Sequence, residues 1–355
     1  MVNKIFDLKY NNTNILEKKE GSEIYDLASI KELLTTSDQY LLSINESKES
    51  YDCSILISAY NGSKYIKEAI RSIAGQITEY KIETVVVLDK GTTDSTLDEL
   101  ISYAMMNKDQ SFKIAFLNHI TDFREKLVSP SLTETNYIFY LDYDNTFEPS
   151  KVQKQIDDIT NNSKPFSFTN LRIMDEMGNL SATPQYLTAP VFTLAGVVEG
   201  NKIDMSTICI TRSFYNKYVI PIIPFLKDRF FDLCLPDYLL ALVASQDSLI
   251  IYDPEPLLNY RVHKNNLFYL SGDSKNFDFM VKKSLVYERI NKTITAFSLV
   301  SAALFGFRGI FLKFSAIDTK IPMVLSTNLL IRGRKTVIAR VLAKIQNIYL
   351  AKKEG

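Results

Sequence analysis

Cys53-Ser54-Ile55-Leu56-Ile57-Ser58-Ala59 is an apolar run of strand length that stops at Tyr60-Asn61-Gly62-Ser63, where small and polar residues signal a turn. Ser63 stands where a helix cap belongs. Beyond it Ile66, Ala69, Ile70 and Ile73 recur at three- and four-residue spacing, the mark of one helical face. A second, β-branched strand from Ile82 ends in the acid Asp89, followed by the loop Lys90-Gly91-Thr92-Thr93-Asp94-Ser95-Thr96 and an amphipathic helix from Leu97 to Met106. Near-continuously apolar strands alternating with helices predict a parallel α/β sheet buried on both faces.

The alternation continues outward. Strands are expected at Phe112–Leu117 and Tyr137–Leu141, the latter running into Asp142-Tyr143-Asp144-Asn145. Ligands of open α/β sheets sit beyond the carboxyl ends of the strands, so Asp89 and the Asp142/Asp144 pair fall where one crevice is expected. Further elements are a helix at Lys151–Ile159, strands near Phe166–Ile173 and Met205–Thr211, a helix at Pro236–Ser245, and strands at Leu249–Tyr252 and Leu257–Arg261. From about Phe277 helices dominate. The first fifty residues are polar, with a modest helical pattern over Ile24–Leu42. This gives an N-terminal appendage (1–50), an α/β core domain (51–270) and a basic, mainly helical C-terminal region (271–355).

A hydrophobic content of 46% with 23% charged residues and no net charge excludes a disordered chain, and 12 Gly and 11 Pro without period exclude collagen-like architecture. Cys53, Cys209 and Cys234 are too few and too widely spaced for a disulfide framework or a thiolate metal cage, which points to a reducing compartment. The stretch Met1–Tyr10 lacks the apolar core of a signal peptide, so a cytoplasmic location is expected, with Asn61-Gly62-Ser63 left unglycosylated. Charge is unevenly distributed. The last 75 residues hold fourteen Lys and Arg against three acids, a net +11 balanced by −11 over the first 280. A basic tail suggests an anionic neighbour, but no recognition motif supports a nucleic-acid partner.

Between Tyr51 and Asn266 an ordered set of motifs resembles the family 2 glycosyltransferases, nucleotide-sugar-dependent enzymes with the GT-A fold. Ile57-Ser58-Ala59-Tyr60-Asn61-Gly62 is similar to the family's first-strand motif, with Tyr65-Ile66 and Glu68-Ala69-Ile70 in the helix that follows. Val85–Asp89 through Thr93-Asp94-Ser95-Thr96 resembles the second strand and its acidic loop, and Tyr140-Leu141-Asp142-Tyr143-Asp144 the metal-binding DxD strand end. Pro236-Asp237-Tyr238 stands at the acid-aspartate-aromatic motif and Asn259-Tyr260-Arg261-Val262-His263 at the closing segment. The resemblance implies a GT-A core, Rossmann-like with a mostly parallel sheet, carrying a helical C-terminal extension.

Sugar transfer from a nucleoside diphosphate needs its pyrophosphate leaving group neutralised, which a carboxylate-held divalent cation, Mn²⁺ or Mg²⁺, does well. The resemblance makes Asp144 a metal ligand and Asp142 the ribose or outer acid; two solvated acids in a turn are the plainer alternative. His263 completes the metal or diphosphate contacts, aided by Arg261, or is an ordinary loop histidine. Ser58, Tyr60 and Asp89 complete the nucleotide-sugar side, with a UDP-sugar as the first expected donor. Inverting transfer requires a base for the acceptor hydroxyl, and Asp237 is the candidate, with a helix cap as its alternative.

Two positions depart from the family pattern. Lys90 follows Asp89 where an acid or Asn is usual, and Pro236 replaces the acid before Asp237. No QxxRW-type motif follows, so non-processive transfer to a saccharide or lipid-linked acceptor in cell-envelope polysaccharide synthesis is expected. Two rival readings stay open: a degenerate module acting as a non-catalytic partner or glycan binder, and a haloacid-dehalogenase-type phosphatase built on Asp142-Tyr143-Asp144-Asn145-Thr146, with Gly272–Asp278 as its later acidic motif. In the tail, Thr293–Phe307 is uncharged but short of the roughly 20 residues of a membrane span. Val337, Ile338, Val341, Leu342, Ile345, Ile348 and Tyr349 share a helical face, which suits either peripheral membrane contact or packing on the chain's own fold or on a second copy.

Overall fold

The structure is a computed structural model that describes residues 14–16, 40–44, 50–89, 91–107, 112–117, 125–198, 201–222, 234–264, 266, 289–290, 292–294 and 297. Two compact units are present. One comprises 1–189, 203–227 and 250–269, the other 190–202, 228–249 and 270–355.

The first unit is built on one mixed sheet. Its strands are β1 (Asn14–Leu16), β2 (Tyr40–Ile44), β3 (Cys53–Ala59), β4 (Ile82–Asp89), β5 (Phe112–Leu117), β6 (Tyr137–Asp142), β7 (Thr146–Phe147), β8 (Phe166–Met174), β9 (Leu180–Pro184), β10 (Ile208–Thr211) and β11 (Ile250–Arg261). The order is β1-β2-β5-β4-β3-β6-β10-β8-β11-β7, with β9 on β8. β5, β4, β3 and β6 are parallel neighbours, and β10 then pairs antiparallel with both β6 and β8. The chain runs from β3 outward to β4 and β5, then returns to the other side of β3 as β6. That reversal places a topological switch point between β3 and β6.

The periodicities explain the layers. Helix α1 (Ile66–Ala74) buries Ile66, Ala69, Ile70 and Ile73, and α3 (Lys151–Asn162) buries Val152, Ile156 and Ile159, against Ile55, Ile57, Phe139 and Leu141 of the sheet. Helix α2 (Thr96–Met106) adds Leu97, Leu100 and Ile101 to the same core. Each such aliphatic side chain contributes about 1.5–3 kcal/mol when fully buried. The alternate residues Ser58 and Asp142 face the other side, where Ser58 bonds Glu125 and Asp142 pairs with Lys126 in the helical turn Glu125–Val128.

Several expectations are corrected. Ser63 caps no helix: its N–H donates to Asp94 Oδ2 at 3.0 Å, while the Tyr65 and Ile66 amides turn back to the Gly62 carbonyl. The helical reading of Ile24–Leu42 meets strand β2 at Tyr40–Leu42, where pairing with β5 covers an otherwise open sheet edge, and residues 24–39 lie outside the described residues. Leu249–Tyr252 and Leu257–Arg261 are one strand, β11, because register shifts around Asp253 and Pro256 absorb the two prolines that read as a break. Met205–Thr207 is a 3₁₀ turn rather than strand, capped by the Asp204 side chain.

The second unit contains a short helix, Leu194–Val198, and α4 (Pro236–Gln246), whose buried residues include every position from Tyr238 to Ser245. Thr293 and Phe297 are helical and buried, and Thr293 Oγ1 accepts the Leu235 N–H at 2.7 Å. Among the described residues no helix is long and apolar enough to cross a membrane. Lys90, the Gly272–Asp278 segment and the 337–349 face lie outside the described residues.

Candidate active site at the β3/β6 switch point

At the carboxyl end of β3, Ser58 pairs in register with Asp142 at the end of β6, and Asp89 closes the neighbouring strand β4. The sheet therefore brings these three together through main-chain pairing alone. Asp89 is buried, and its Oδ1 accepts the Gly91 N–H at 2.7 Å. Tyr60 follows Ser58 by two residues and is 40% exposed. Asn61 has a φ of 48°, a left-handed conformation that Asn tolerates, and from it Oδ1 accepts the Thr93 N–H at 2.8 Å. The loops after β3 and β4 are thus tied together above the sheet. The bonds that Asp94 accepts from Ser63 and Thr96 hold its carboxyl below the usual range, although burial works to raise it.

Asp142 meets a residue that sequence reading missed. The Lys126 ammonium forms an ion pair with Asp142 Oδ1, and Ser58 Oγ donates to Glu125 Oε2 at 2.9 Å. Burial pushes the Glu125 carboxyl up to about 7, opposed by Lys126 and by the bond from Ser58. For Lys126, burial acts to lower the pKa, yet the Asp142 and Glu125 carboxylates raise it overall. In sequence, Glu125 and Lys126 are two adjacent charges, and nothing in the charge pattern marks them as partners of Ser58 and Asp142.

Asp144 and His263 come together from distant parts of the chain. His263 Nε2 lies 2.9 Å from Asp144 Oδ2, and Asn266 Nδ2 donates to the same oxygen at 3.3 Å. Burial raises the Asp144 carboxyl, partly offset by the His263 bond. Arg261 is buried behind this pair. Its Nε donates to the Asp144 carbonyl at 2.9 Å, its terminal nitrogens reach the Asp175 and Glu176 carbonyls and pair with the Glu68 carboxylate, and its guanidinium lies 4.5 Å from the Tyr65 ring centroid. Those contacts make Arg261 the brace of the Asp144 turn. Asn145 braces it from the other side, accepting the Arg261 N–H at 2.9 Å and donating to Ser206 Oγ at 3.1 Å. Ser206 Oγ also accepts the Asp142 N–H at 3.1 Å.

Asp237 belongs to the other unit, in the first turn of α4. Its Oδ1 accepts the Tyr238 N–H at 2.7 Å and its Oδ2 accepts from Asn201 at 3.0 Å, so the carboxylate is oriented by two donors.

The family model "Glycosyl transferase family 2" matches residues 54–188. A Haemophilus influenzae protein described as an uncharacterized glycosyltransferase is 24% identical over 239 residues, covering 63% of this chain and 69% of its own. The Bacillus subtilis glycosyltransferase TuaG, named for teichuronic acid biosynthesis, is 24% identical over 172 residues, covering 47% of this chain and 65% of its own. Among solved structures, residues 1–349 of S. aureus TarS in complex with UDP-GlcNAc are 16% identical, covering 86% of this chain and 92% of that one, with a TM-score of 0.46, too distant a likeness to bear on the site. The matched residues 54–188 contain β4, the Asp142–Asp144 turn and nearly all of β3, and over that stretch the chain is similar to the family 2 glycosyltransferases.

Proposed function

We propose that this glycosyltransferase moves a sugar from a nucleoside diphosphate sugar, with a UDP-sugar as first candidate, to a saccharide-type or lipid-linked acceptor, one residue at a time and with inversion. The observation that carries this reading is the meeting of Ser58, Asp89 and Asp142 at the carboxyl ends of adjacent parallel strands, with the Asp144–His263 pair one turn further on. In an α/β sheet that crevice is where nucleotides bind.

The donor set suits a divalent cation. A carboxylate oxygen suits Mn²⁺ or Mg²⁺, and an imidazole nitrogen at the same spot favours Mn²⁺ of the two, with substrate phosphates and water completing the shell. Among the described residues no group of three His, Cys, Asp or Glu stands close enough to hold a metal by itself. Asp144 and His263 would hold the ion, which when bound neutralises charge on the departing diphosphate.

This chain's own residues do the rest. Ser58, Tyr60, Asp89 and Asp142 orient the nucleoside. Lys126 offsets the charge of Asp142, so a diphosphate meets a crevice of lower negative charge. Arg261 fixes the turn that carries Asp144. Asp237 accepts the proton of the acceptor hydroxyl as that oxygen bonds the anomeric carbon and the carbon–diphosphate bond breaks on the opposite face. The name of the TuaG relative supports an acceptor in cell-envelope polysaccharide, and the basic 271–355 region supplies peripheral contact with an anionic membrane at the cytoplasmic face or with a second copy.

Calorimetric titration of a panel of nucleoside diphosphates, with and without Mn²⁺, tests the donor site. One nucleotide is expected to bind in a metal-dependent manner, and Asp144→Ala is expected to abolish that dependence. Unchanged binding and metal response in Asp144→Ala would remove the metal role from this residue.

A further inference from the structure

Behind Ser58 lies a carboxyl group that the reaction as drawn above does not use. Glu125 is 7% exposed, whereas Ser58 is half-buried, so a ligand in the crevice reaches the serine and not the glutamate. Ser58 Oγ donates to Glu125 Oε2 at 2.9 Å, and Glu125 Oε1 is buried without a hydrogen-bond partner. The groups facing Glu125 come from three elements: Ser58 of β3, Tyr140 and Asp142 of β6, and Lys126 and Ser129 of its own segment. Of these, the Lys126 ammonium is directed to Asp142, the Tyr140 hydroxyl is buried without a hydrogen-bond partner, and the Ser129 hydroxyl, itself buried, lies beside the Glu125 carboxyl and opposes the effect of its burial. Among the described residues, Ser58 is therefore the group that both hydrogen-bonds Glu125 with normal geometry and is only half-buried.

We propose that Glu125 is a positioning residue for donor binding, acting through the Ser58 hydroxyl and setting whether that hydroxyl donates to or accepts from the nucleotide. The inference rests on the donor-site reading above. When Glu125 is ionised it takes the Ser58 hydrogen, and Ser58 Oγ offers a ligand only lone pairs. When Glu125 is neutral, its proton is donated to Ser58 Oγ, and the Ser58 hydrogen is freed to donate into the crevice. No bond to carbon changes; one proton is exchanged with solvent. The Asp89 and Asp142 carboxylates already offer acceptors to the donors of ribose and base, whereas phosphate and base-carbonyl oxygens only accept, so for those oxygens the neutral state is the binding state. Both states are accessible near neutrality, because burial lifts the Glu125 carboxyl to about 7.

The test is titration of UDP, GDP, CDP and ADP, each with Mn²⁺, into the wild type, Glu125→Gln and Ser58→Ala between about pH 6 and about pH 8.5. Above its pKa the wild type loses the binding state, so its affinity is expected to fall by roughly five- to tenfold across this range. Glu125→Gln, a permanent amide donor, is expected to hold the affinity the wild type has at low pH. Ionisation of the nucleotide and of metal-bound water affects all proteins alike, so the difference between profiles is the readout. Ser58→Ala is expected to bind more weakly and to lose the component of the wild-type profile that Glu125→Gln also lacks. Superimposable profiles for wild type, Glu125→Gln and Ser58→Ala would overturn this inference while leaving the donor site in place. Absence of nucleotide binding to the wild type at every pH would overturn the donor-site reading and this inference with it.

Discussion

The ring of Tyr143 lies so close to Gly62 that a methyl group on that glycine would stand 2.7 Å from Tyr143 Cδ2 and 3.0 Å from Cγ. Both are ring atoms near the backbone, which cannot swing aside as a flexible tip would. Tyr143 separates Asp142 from Asp144, so the glycine allows the β6 turn to seat against the loop after β3. Burial, followed by the flanking aspartates, pushes the Tyr143 hydroxyl up to about 12, so the ring stays neutral there. Gly62→Ala is expected to cost about 1–3 kcal/mol of stability and to weaken nucleotide binding. Adding Tyr143→Ala to it should return most of the lost stability. A double-mutant cycle with strictly additive losses would show that the two do not interact.

Lys126→Met removes the cation paired with Asp142. The side chain of Asp142 is 29% exposed, so water offsets part of the loss, and a destabilisation of about 1–3 kcal/mol is expected in chemical denaturation. Nucleoside diphosphate affinity should fall by roughly tenfold at low salt, and the gap from wild type should narrow as salt is raised. Equal affinities at low salt would remove Lys126 from the donor site.

Lys151 is fully buried at the start of α3, where its ammonium donates to Thr169 Oγ1 at 3.3 Å and to the Thr207 carbonyl at 3.2 Å, with no carboxylate among its hydrogen-bond partners. Burial lowers it from 10.5 to about 7. Between those values the unfolded chain holds a proton that the folded one lacks, so this residue makes stability rise with pH across that window. Lys151→Met should flatten the rise and stabilise the fold by about 1–3 kcal/mol near neutrality. Gln155 Nε2 also donates to the Thr207 carbonyl, at 3.0 Å, so that acceptor keeps a partner in the variant. Thermal melting from neutral to alkaline pH measures both effects, and a steeper profile in the variant would contradict the assignment.

Asp237→Asn keeps the size of the side chain and removes its basicity. Turnover is expected to fall by roughly 100- to 10,000-fold while nucleotide affinity stays unchanged. A parallel loss of nucleotide binding would instead point to a structural role through Asn201 and the first turn of α4.

Strand-level structure was largely open to sequence reading because it rests on local signals. β3, β4 and β5 have the bounds that their apolar runs predict, and Asp89 and Asp142 end their strands as expected. What escaped were groups whose meaning depends on burial by distant chain. Glu125, Lys126 and Lys151 are charged side chains at helix starts, which on composition alone belong in water. Their environment comes from β3, β6, β8 and the 205–207 turn. Arg261 was expected to aid the metal or diphosphate contacts, whereas its place as a buried brace depends on the Asp144, Asp175 and Glu176 carbonyls, which no side-chain pattern reveals.

The position of β11 has a consequence for assembly on the ribosome. β7, which begins directly after Asn145, pairs among the described residues only with β11, and Arg261 and His263 reach Asp144 across 117 and 119 residues of chain. Contacts of such sequence separation are slow to close, and during synthesis they cannot close at all until the far segment has emerged. A nascent chain halted before residue 250 can pair β3, β4, β5 and β6, yet its Asp144 turn lacks the Arg261 brace and the His263 imidazole. Nucleotide binding should therefore appear abruptly, late in elongation, when β11 enters the gap between β8 and β7.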